Sequence, residues 1–355
     1  MRIVMTVTNP FKPDPRVYKE AKSLAKHGHE VYIIAWDREG KYPKEEVIEG
    51  FRVIRVGPKA GYGPLMALKL PLFYLNAFRV ILKLKPDAIH THDFDTAVLG
   101  FFFKKLKKKV MWVYDVHDLY ESFVRNNRVS SLIKRLDSII MGKADIVITV
   151  NQEMMKILLE RARPNMTVII MNTINPFGVS QKKAKIFTIF YGGVLSEGRF
   201  VKEIVDISST LDVSIRIAGS GTLKDEIKSS SAVYLGHVPH ERALEELSRA
   251  HVTFILYDPS VLNNKIASPN KLFEAMWTGT PVLVVKGTLP EKLAEKFVIP
   301  VDYSKSAVKK ALKEIIETPK VIKKKAHFGR KIFLKKYTWD IMEKRLIKLY
   351  SEVLK

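Results

Sequence analysis

Apolar strand-like segments and longer helix-like segments alternate along almost the whole chain. The pattern starts with a short apolar run at residues 2–7, and a segment with helical spacing of apolar residues follows it. Because a crossover between parallel strands usually contains a helix, the alternation predicts parallel sheets with helices on both faces. This pattern constrains the fold more than any other feature of the sequence.

The alternation pauses after residue 172 and restarts with a strand pattern at residues 187–192. A chain of 355 residues is also too long for one typical hydrophobic core. We therefore predict an α/β protein with two doubly wound, Rossmann-like domains in series, at residues 1–174 and 175–335. In such sheets ligands bind beyond the carboxyl ends of the strands, so the residues that follow each strand are candidates for a site.

The charge of the chain is strongly unbalanced. Its 60 Lys and Arg residues against 37 Asp and Glu give a formal net charge of +23. Such an excess predicts an anionic partner, whether a nucleotide, a phosphate, a lipid surface or a nucleic acid. The absence of cysteine excludes disulfides, thiolate catalysis and cysteine-based metal sites.

The segment 268–283 predicts a capped helix, a tight turn and a buried strand. Ser268 suits the N-cap and Gly279 the end of the helix. Lys271 lies in the first turn, where a cation opposes the helix dipole, and this favours an anionic ligand at the free amides. Glu274 lies one turn further along the same face. An ordinary capped helix with an exposed lysine is the alternative.

Two glycine-rich turns follow predicted strands of the second domain. Gly192 and Gly193 precede Arg199, and such a turn lets the backbone approach a phosphate that an arginine binds. The second turn, at residues 218–222, contains Gly219. A lone pair of glycines is weak support by itself, and a simple tight turn explains the second motif as well as ligand contact does.

Polar residues end two buried strands of the first domain. His90, His92 and Asp93 lie at the end of one strand, and His117 lies near the end of the next. A His-x-His pair without a clear third ligand argues against a metal site. We expect a catalytic or substrate-binding role for one of these histidines, and a buried structural histidine is the alternative for each.

Asn9 and Arg16 lie where the first strand meets the first helix. Both follow a strand end and are therefore candidates for ligand contact. Asp14, between them, is better explained as the cap of that helix.

A helix is predicted over residues 71–84, with Arg79 and Lys83 on one narrow stripe. Residues 51–110 contain 12 Lys and Arg against 3 Asp and Glu, a local net charge of +9. Surfaces of this type bind anionic lipid headgroups, and an apolar-basic run at residues 101–109 extends this one. A core helix with a solvated stripe is the alternative.

No secretory signal is evident, and charged residues interrupt the apolar region 64–84 too often for a membrane span. We expect a cytoplasmic protein, peripheral on the inner face of the plasma membrane if the basic helix binds lipid. A nucleic acid partner is not expected, because residues 101–103 should pack in a helix rather than stack on bases.

Several motifs occur in the order typical of one enzyme family. They lie at residues 14–21, 28–31, 87–93, 114–121, 144–150, 191–194, 217–221, 235–238 and 268–283. On these motifs the chain resembles retaining glycosyltransferases of the GT-B fold, family 4, over nearly its whole length. The resemblance implies two domains facing across a cleft, the first binding the acceptor and the second the donor. It also implies that residues 336–355 form a helix that packs back on the first domain.

Site residues carry over position by position. Glu274 matches the glutamate that binds the nucleotide ribose, and Lys271 lies where the donor diphosphate binds. His92 matches a histidine near the donor sugar, so the catalytic candidates are His92, Lys271 and Arg199. The donor-binding candidates are Gly192, Gly193, Arg199, Gly219, Ser268, Asn270, Lys271 and Glu274, and the acceptor-side candidates are Asn9, Arg16, Asp93 and His117.

The resemblance implies metal-independent transfer of a sugar, with retention, from a UDP- or GDP-sugar to a glycan or lipid-linked acceptor, without a cofactor. Two positions depart from the family pattern, since Val194 stands where an arginine is frequent and Ile266 where a glutamate is frequent. A GT-B-fold nucleotide-sugar epimerase or phosphorylase, or an inactive homologue, are the alternatives.

Overall fold

The computed structural model describes residues 1–12, 14–61, 64–124, 126–178 and 182–352. The chain forms two compact units, one made of Met1–Met171 with Met342–Lys355 and the other of Asn172–Ile341. The last three residues of the predicted closing helix, 353–355, lie outside the described residues.

The first unit is built on an eight-stranded sheet. Its strands are β1 (Arg2–Thr6), β2 (Glu30–Ala35), β3 (Glu45–Ile48), β4 (Phe51–Arg55), β5 (Ala88–His92), β6 (Met111–Val116), β7 (Ile146–Thr149) and β8 (Met166–Ile169). They are ordered β3-β4-β2-β1-β5-β6-β7-β8, and only the β3–β4 pair is antiparallel. Strands β5 and β6 are buried at every residue, as expected of strands covered on both faces.

Five helices and one 3₁₀ turn connect these strands. They are α1 (Pro15–Lys26), α2 (Pro64–Leu84), α3 (Asp93–Leu106), the 3₁₀ turn Tyr120–Phe123, α4 (Asn127–Met141) and α5 (Gln152–Arg161). From β4 to β7 the chain advances in one direction across the sheet, so right-handed crossovers place α2, α3 and α4 in one layer. Helix α3 contacts both α2 and α4 and lies between them.

The second unit has a six-stranded parallel sheet. Its strands are β9 (Thr188–Gly192), β10 (Ser214–Ala218), β11 (Val233–Gly236), β12 (Val252–Ile255), β13 (Val282–Val285) and β14 (Ile299–Val301), in the order β11-β10-β9-β12-β13-β14. Its helices are α6 (Val201–Ser208), α7 (Lys224–Lys228), α8 (His240–Arg249), α9 (Leu262–Lys265), α10 (Asn270–Thr278), α11 (Leu289–Ala294), α12 (Lys305–Glu317) and α13 (Lys320–Lys336). The strand order reverses between β9 and β12, whose carboxyl ends are therefore the preferred place for a ligand.

The last helix, α14 (Trp339–Glu352), ends in the first unit. Tyr350 is fully buried there, and its hydroxyl lies 3.0 Å from Nδ1 of His90. The end of the described chain therefore completes the core around the end of β5. None of the described helices is long and apolar enough to cross a membrane.

The predicted α/β fold class is confirmed, with a doubly wound sheet in each unit. Strands β3 and β14 were not predicted. A tight turn at Glu49 (φ 41°) and Gly50 (φ 93°) joins β3 to β4, and the short strand β14 contains Pro300. Charged residues in β3 and the proline in β14 obscure the strand pattern of the sequence. The structure tolerates these residues because both strands lie at sheet edges.

Two helix starts differ from the expected ones. Helix α2 begins at Pro64, so Pro71 lies inside it. Pro71 has no backbone N–H to donate, but the apolar residues before and after it continue the helix. Helix α10 begins at Asn270, and Pro269 occupies the N-cap position with an extended ψ of 147°. Ser268 is therefore one residue too early to be the N-cap that we expected.

The two glycine-rich turns of the second unit pack directly against each other. The N–H of Gly193 donates to the carbonyl of Ala218 at 3.0 Å, and the N–H of Leu195 donates to the carbonyl of Ser220 at 2.9 Å. A Cβ on Gly219, whose φ is 140°, would lie 1.8 Å from the carbonyl oxygen of Gly193. Only glycine fits there, so close packing of the two turns accounts for at least part of their glycine content.

We expect Gly219→Ala to lower the free energy of unfolding by about 3 kcal/mol or more, because the new Cβ meets backbone at a positive φ. Gly178→Ala is the matched control, since a Cβ on this exposed glycine meets nothing within 4 Å. The control should change stability by less than about 0.5 kcal/mol. Urea unfolding followed by circular dichroism measures both variants, and equal stabilities would contradict the packing of the two turns.

Candidate functional site

Helix α10 starts at the carboxyl edge of the second sheet, because it follows β12 along the chain. Its first turn contains Asn270 and Lys271, and the first amides of a helix have no partner within it. Glu274 lies in the second turn, and Gly279 ends the helix in the left-handed conformation with a φ of 68°. The predicted end of this helix at Gly279 is confirmed.

Lys271 and Arg199, which we call the cation pair, lie on the faces of two tyrosines. Nζ of Lys271 is 4.0 Å from the ring centre of Tyr191 and 5.6 Å from that of Tyr257. The guanidinium carbon of Arg199 is 3.9 Å from the ring centre of Tyr257. Among the residues that the structure describes, neither cation is paired with a carboxylate. The rings orient the two charges without neutralising them.

The charge of Lys271 is maintained in its half-buried position. Burial by itself lowers the pKa of this amine, but the nearby oxygens of Tyr257 and Tyr191 raise the pKa above its usual value. The side chain is therefore an ammonium at neutral pH and can attract an anion.

Gly193 lies beside Lys271 in the structure, and Asn270 precedes Lys271 directly along the chain. Gly193 follows β9 with a φ of 154°, and a Cβ there would lie 3.0 Å from Nζ of Lys271, so the glycine leaves space beside the ammonium. Oδ1 of Asn270 is buried and has no hydrogen-bond partner within the described part of the chain. Because buried acceptors are normally paired, a water or a ligand is expected to donate to it.

Glu274 lies at the side of this site with a side chain that is 14% exposed. Its Oε1 is 3.6 Å from Nε2 of His240, at the start of α8. A carboxylate in this position can accept hydrogen bonds from hydroxyl groups. Val194, which is exposed, and Ile266, which is buried, are both apolar. Neither supplies the charge that the family often has at these two positions.

The structure brings most predicted donor-binding residues to one place in the second unit. Gly193, Arg199 and Lys271 surround the two tyrosines, and Gly219 packs against Gly193. Gly192 precedes Gly193 directly, Asn270 precedes Lys271 directly, and Ser268 lies three residues before Lys271. Their role in binding a donor stays a prediction.

The first unit contains a buried group of charged and imidazole side chains at the carboxyl ends of β5 and β6. This histidine cluster consists of Arg16, Glu20, His90, His92, Asp93, Asp115 and His117. At its centre, Arg16 donates from Nε and Nη2 to the two oxygens of Asp115, each at 2.8 Å. Burial opposes ionisation of Asp115, but Arg16 and His117 hold its pKa well below the usual range.

His117 lies between two carboxylates. Its Nε2 is 2.9 Å from Oδ2 of Asp115, and its Nδ1 is 3.2 Å from Oδ2 of Asp93. Burial lowers the pKa of His117, but the two carboxylates outweigh burial and raise it well above the usual value. Asp93 reaches this position with a φ of 61°, and such strain in a non-glycine residue is typical of functional sites.

His92, the predicted catalytic histidine, is 3% exposed at the end of β5. Its Nδ1 is 3.3 Å from Oδ2 of Asp115, and its buried Nε2 has no hydrogen-bond partner among the described residues. If Nδ1–H donates to Asp115, Nε2 carries a lone pair that can accept from a ligand hydroxyl. The ring of His90 stacks on that of His92, with ring centres 4.5 Å apart.

Glu20, His90, His92 and Asp115 could each offer one atom to a metal ion, and these atoms all lie within 4.8 Å of one another. A tetrahedral zinc site needs ligand atoms about 3.3 Å apart, for bonds of about 2.0–2.2 Å. In addition, both oxygens of Asp115 accept from Arg16, whose charge repels a metal cation. The arrangement fits an ion-pair network better than a metal site, and the absence of a cofactor stays a prediction.

Two acceptor-side candidates are engaged in contacts within the first unit. Nη1 of Arg16 donates to the carbonyl of Ile170 at 2.8 Å, in addition to its bonds to Asp115, and the side chain is buried. Oδ1 of Asn9 accepts from the N–H of Phe11 at 2.7 Å and so stabilises the turn before α1. These contacts indicate positioning roles, and acceptor contact by either residue stays a prediction.

Sequence reasoning did not single out Glu20 or Tyr350. Glu20 lies four residues after Arg16 with Oε1 3.2 Å from Nη2, and this spacing, which places both on one helix face, was a usable signal. Tyr350 gave no signal, because it lies 260 residues from its partner His90.

Two family models match the sequence. A model described as Glycosyltransferase Family 4 matches residues 16–176, and a model described as glycosyl transferase-like matches residues 199–347. One match falls mainly in the first unit and the other mainly in the second. Among curated proteins, none matches this sequence.

Solved structures share the fold at low sequence identity. Sucrose-phosphate synthase from Thermosynechococcus elongatus has a TM-score of 0.80 at 15% identity, over 100% of this chain and 99% of that one. The glycosyltransferase from Rickettsia africae has a TM-score of 0.75 at 15% identity, over 100% and 98%. Anabaena HepE, solved in complex with UDP-glucose, has a TM-score of 0.73 at 13% identity, over 99% and 100%. These similarities establish the GT-B fold.

The histidine cluster predicts a pH-dependent stability. Burial raises the pKa of Glu20 to about 6, although Arg16 opposes this effect. A carboxyl group whose pKa is raised by folding contributes its full stabilisation when the pH is below the pKa of the unfolded state. This contribution is lost as the pH rises through about 6. Glu20→Gln removes the titration. The free energy of unfolding of the variant, relative to that of the parent, should therefore be about 2 kcal/mol more favourable at about pH 8 than at about pH 4.

Urea unfolding of both proteins at the two pH values measures this difference. Glu160→Gln, on the exposed side of α5, is the control and should show no such change. A difference between the Glu20→Gln variant and the parent that does not vary with pH would show that Glu20 does not titrate in this way.

Proposed function

Because a family 4 glycosyltransferase model and a glycosyl transferase-like model match successive parts of the chain, we propose that it transfers a sugar from a UDP- or GDP-sugar to a glycan or lipid-linked acceptor. Transfer proceeds with retention of the anomeric configuration and without a metal. The observation that carries the proposal is the cation pair at the start of α10, which has no carboxylate partner among the described residues.

A diphosphate fits the chemistry of this site. Its oxygens are negatively charged and can accept from Lys271, Arg199 and the backbone amides of Asn270 and Lys271 at the start of α10. Each charge-assisted hydrogen bond contributes about 1.5–3 kcal/mol. The leaving diphosphate gains charge in the transition state, so these donors stabilise the transition state more than the bound donor.

A ribose fits beside the diphosphate. Its two neighbouring hydroxyls can both donate to the carboxylate of Glu274, which lies one turn after Lys271. Anabaena HepE has been solved with UDP and with UDP-glucose. Its shared fold supports the same class of donor for this chain.

In the proposed reaction the acceptor hydroxyl attacks the anomeric carbon from the face that the diphosphate leaves. The bond from the anomeric carbon to the diphosphate oxygen breaks, a glycosidic C–O bond forms, and the proton of the acceptor passes to the leaving phosphate. No side chain becomes covalently attached. On the first unit, we assign the binding of sugar hydroxyls to the Asp93–His117 pair, whose side chains are partly exposed, beside the buried His92.

Lys271→Ala should lower kcat by about 100- to 1,000-fold, because the variant loses one donor to the leaving group. Lys265→Ala, at the exposed end of α9, is the matched control and should keep full activity. Thermal shift with a panel of UDP- and GDP-sugars first identifies the donor. Transfer from that donor is then assayed, and linkage analysis identifies the product. Unchanged transfer by Lys271→Ala would overturn the site.

The same assay separates the alternatives. Conversion of the nucleotide sugar without an acceptor indicates an epimerase, and transfer to inorganic phosphate indicates a phosphorylase. Nucleotide-sugar binding without turnover on any acceptor offered indicates an inactive homologue.

Glu274→Ala should weaken UDP binding by at least about 10-fold, because even one lost hydrogen bond to the carboxylate costs about 1.5–3 kcal/mol. Isothermal titration with UDP and with 2′-deoxy-UDP measures the effect. The parent should prefer UDP and the variant should not, whereas Glu241→Ala, exposed at the start of α8, should behave like the parent. If the variant kept the preference for UDP, Glu274 would not be the ribose-binding residue.

A further inference from the structure

Helices α2, α3 and α4 each expose large apolar side chains. These are Leu68, Leu72, Leu75 and Leu82 on α2, Phe102 and Leu106 on α3, and Val129, Leu132, Leu136 and Ile139 on α4, all between 37% and 76% exposed. Single exposed apolar residues are common in soluble proteins, but ten of them on three neighbouring helices are not.

The exposed residues form one stripe on α2 and another on α4. Their intervals of three, four and seven residues are those of a single helix face. The opposite face of α2 already supplies the core, since Phe73, Ala77 and Ile81 are fully buried. Helix α2 is therefore apolar on two sides, and packing against the sheet explains only one of them.

The stripes belong to one continuous surface. Because α3 lies between α2 and α4 in the same layer, Phe102 and Leu106 lie between the two stripes. We call the outer surface of these three helices the three-helix face. Exposed apolar side chains gathered on neighbouring helices in this way normally mark a binding surface for a protein or a membrane.

The charges of the three-helix face all have one sign. Its exposed charged residues are Arg79, Lys83, Lys105, Arg128 and Arg135. The acidic residues in the described parts of these three helices do not contribute charge to this face, because Asp93 and Asp95 lie in the first turn of α3 and Asp137 is buried. Pairing with a second copy of the same face would bring like charges together, whereas an anionic lipid surface complements them.

We propose that the three-helix face binds the surface of an anionic bilayer and that the acceptor is a lipid-linked molecule held there. Apolar side chains would enter the boundary between headgroups and acyl chains, and the basic side chains would lie among the headgroups. The statement about the acceptor rests on the proposed transferase function, but the binding to lipid does not. The sequence indicated the basic residues of α2, and the structure adds the stripe on α4.

Sedimentation of the full chain with vesicles tests the proposal. The chain should bind vesicles of phosphatidylglycerol and phosphatidylcholine at low salt, at least about 10-fold more tightly than vesicles of phosphatidylcholine alone. Raised salt should weaken the binding, because it screens the basic residues. Absence of binding to the anionic vesicles at low salt overturns the proposal.

Two double variants locate the binding surface. Leu132→Ser with Leu136→Ser removes part of the α4 stripe, and Arg79→Glu with Arg135→Glu reverses two charges. Each should weaken binding at least about 10-fold without changing the melting temperature, because all four side chains are exposed. Leu334→Ser is the matched control, since Leu334 is 51% exposed on the basic helix α13 of the second unit.

The remaining outcomes are decisive as well. Binding that neither double variant weakens, or that Leu334→Ser weakens equally, overturns the three-helix face as the site. A dimer that the leucine variant dissociates, without vesicle binding, shows instead that the face pairs two copies. UDP binding of the parent protein is measured in parallel. If the parent binds UDP but not the anionic vesicles, the result counts against this inference alone, and if it binds the vesicles but not UDP, the result counts against the proposed function alone.

Discussion

The ion pair between Arg16 and Asp115 is the interaction on which the arrangement of the first unit depends. It connects helix α1 to strand β6 inside the core, and Arg16 also binds the carbonyl of Ile170 after β8. A buried ion pair adds little net stability, because desolvation offsets most of the attraction. Its importance is geometric, since an Asp115 fixed by Arg16 can orient the rings of His92 and His117. Loss of either partner would leave an uncompensated charge among three histidines.

The charged side chains at the carboxyl edges of the two sheets differ in whether they are paired with opposite charges. In the first unit, arginine, carboxylates and imidazoles lie in ion-pair contact with one another, although Glu20, His90 and His92 keep buried atoms without a hydrogen-bond partner among the described residues. In the second unit, Lys271 and Arg199 are held by aromatic rings and lack a carboxylate partner among the described residues. Uncompensated charge is costly to hold in a half-buried place, so this asymmetry supports the proposal that an anionic ligand binds there.

The fold was predictable from the sequence because its signals are local. Most strands and helices show their own periodicity, with β3 and β14 as exceptions, and the end of α10 at Gly279 follows from the conformational freedom of one residue. Contacts between distant segments were not predictable. The tyrosines beneath Lys271 come from the ends of two other strands, and Tyr350 comes from the end of the described chain. The sequence therefore indicated which residues lie at strand ends but not which of them neutralise each other.

The return of α14 to the first unit has a consequence for protein synthesis. His90 is translated 260 residues before Tyr350, and the whole of the second unit is made between them. The second unit can therefore become compact on the ribosome while the core of the first is still incomplete. Until the codon for Tyr350 has been read, the end of β5 lacks its last covering helix. A nascent chain paused within the second unit would thus present an unfinished, chaperone-accessible surface at the histidine cluster.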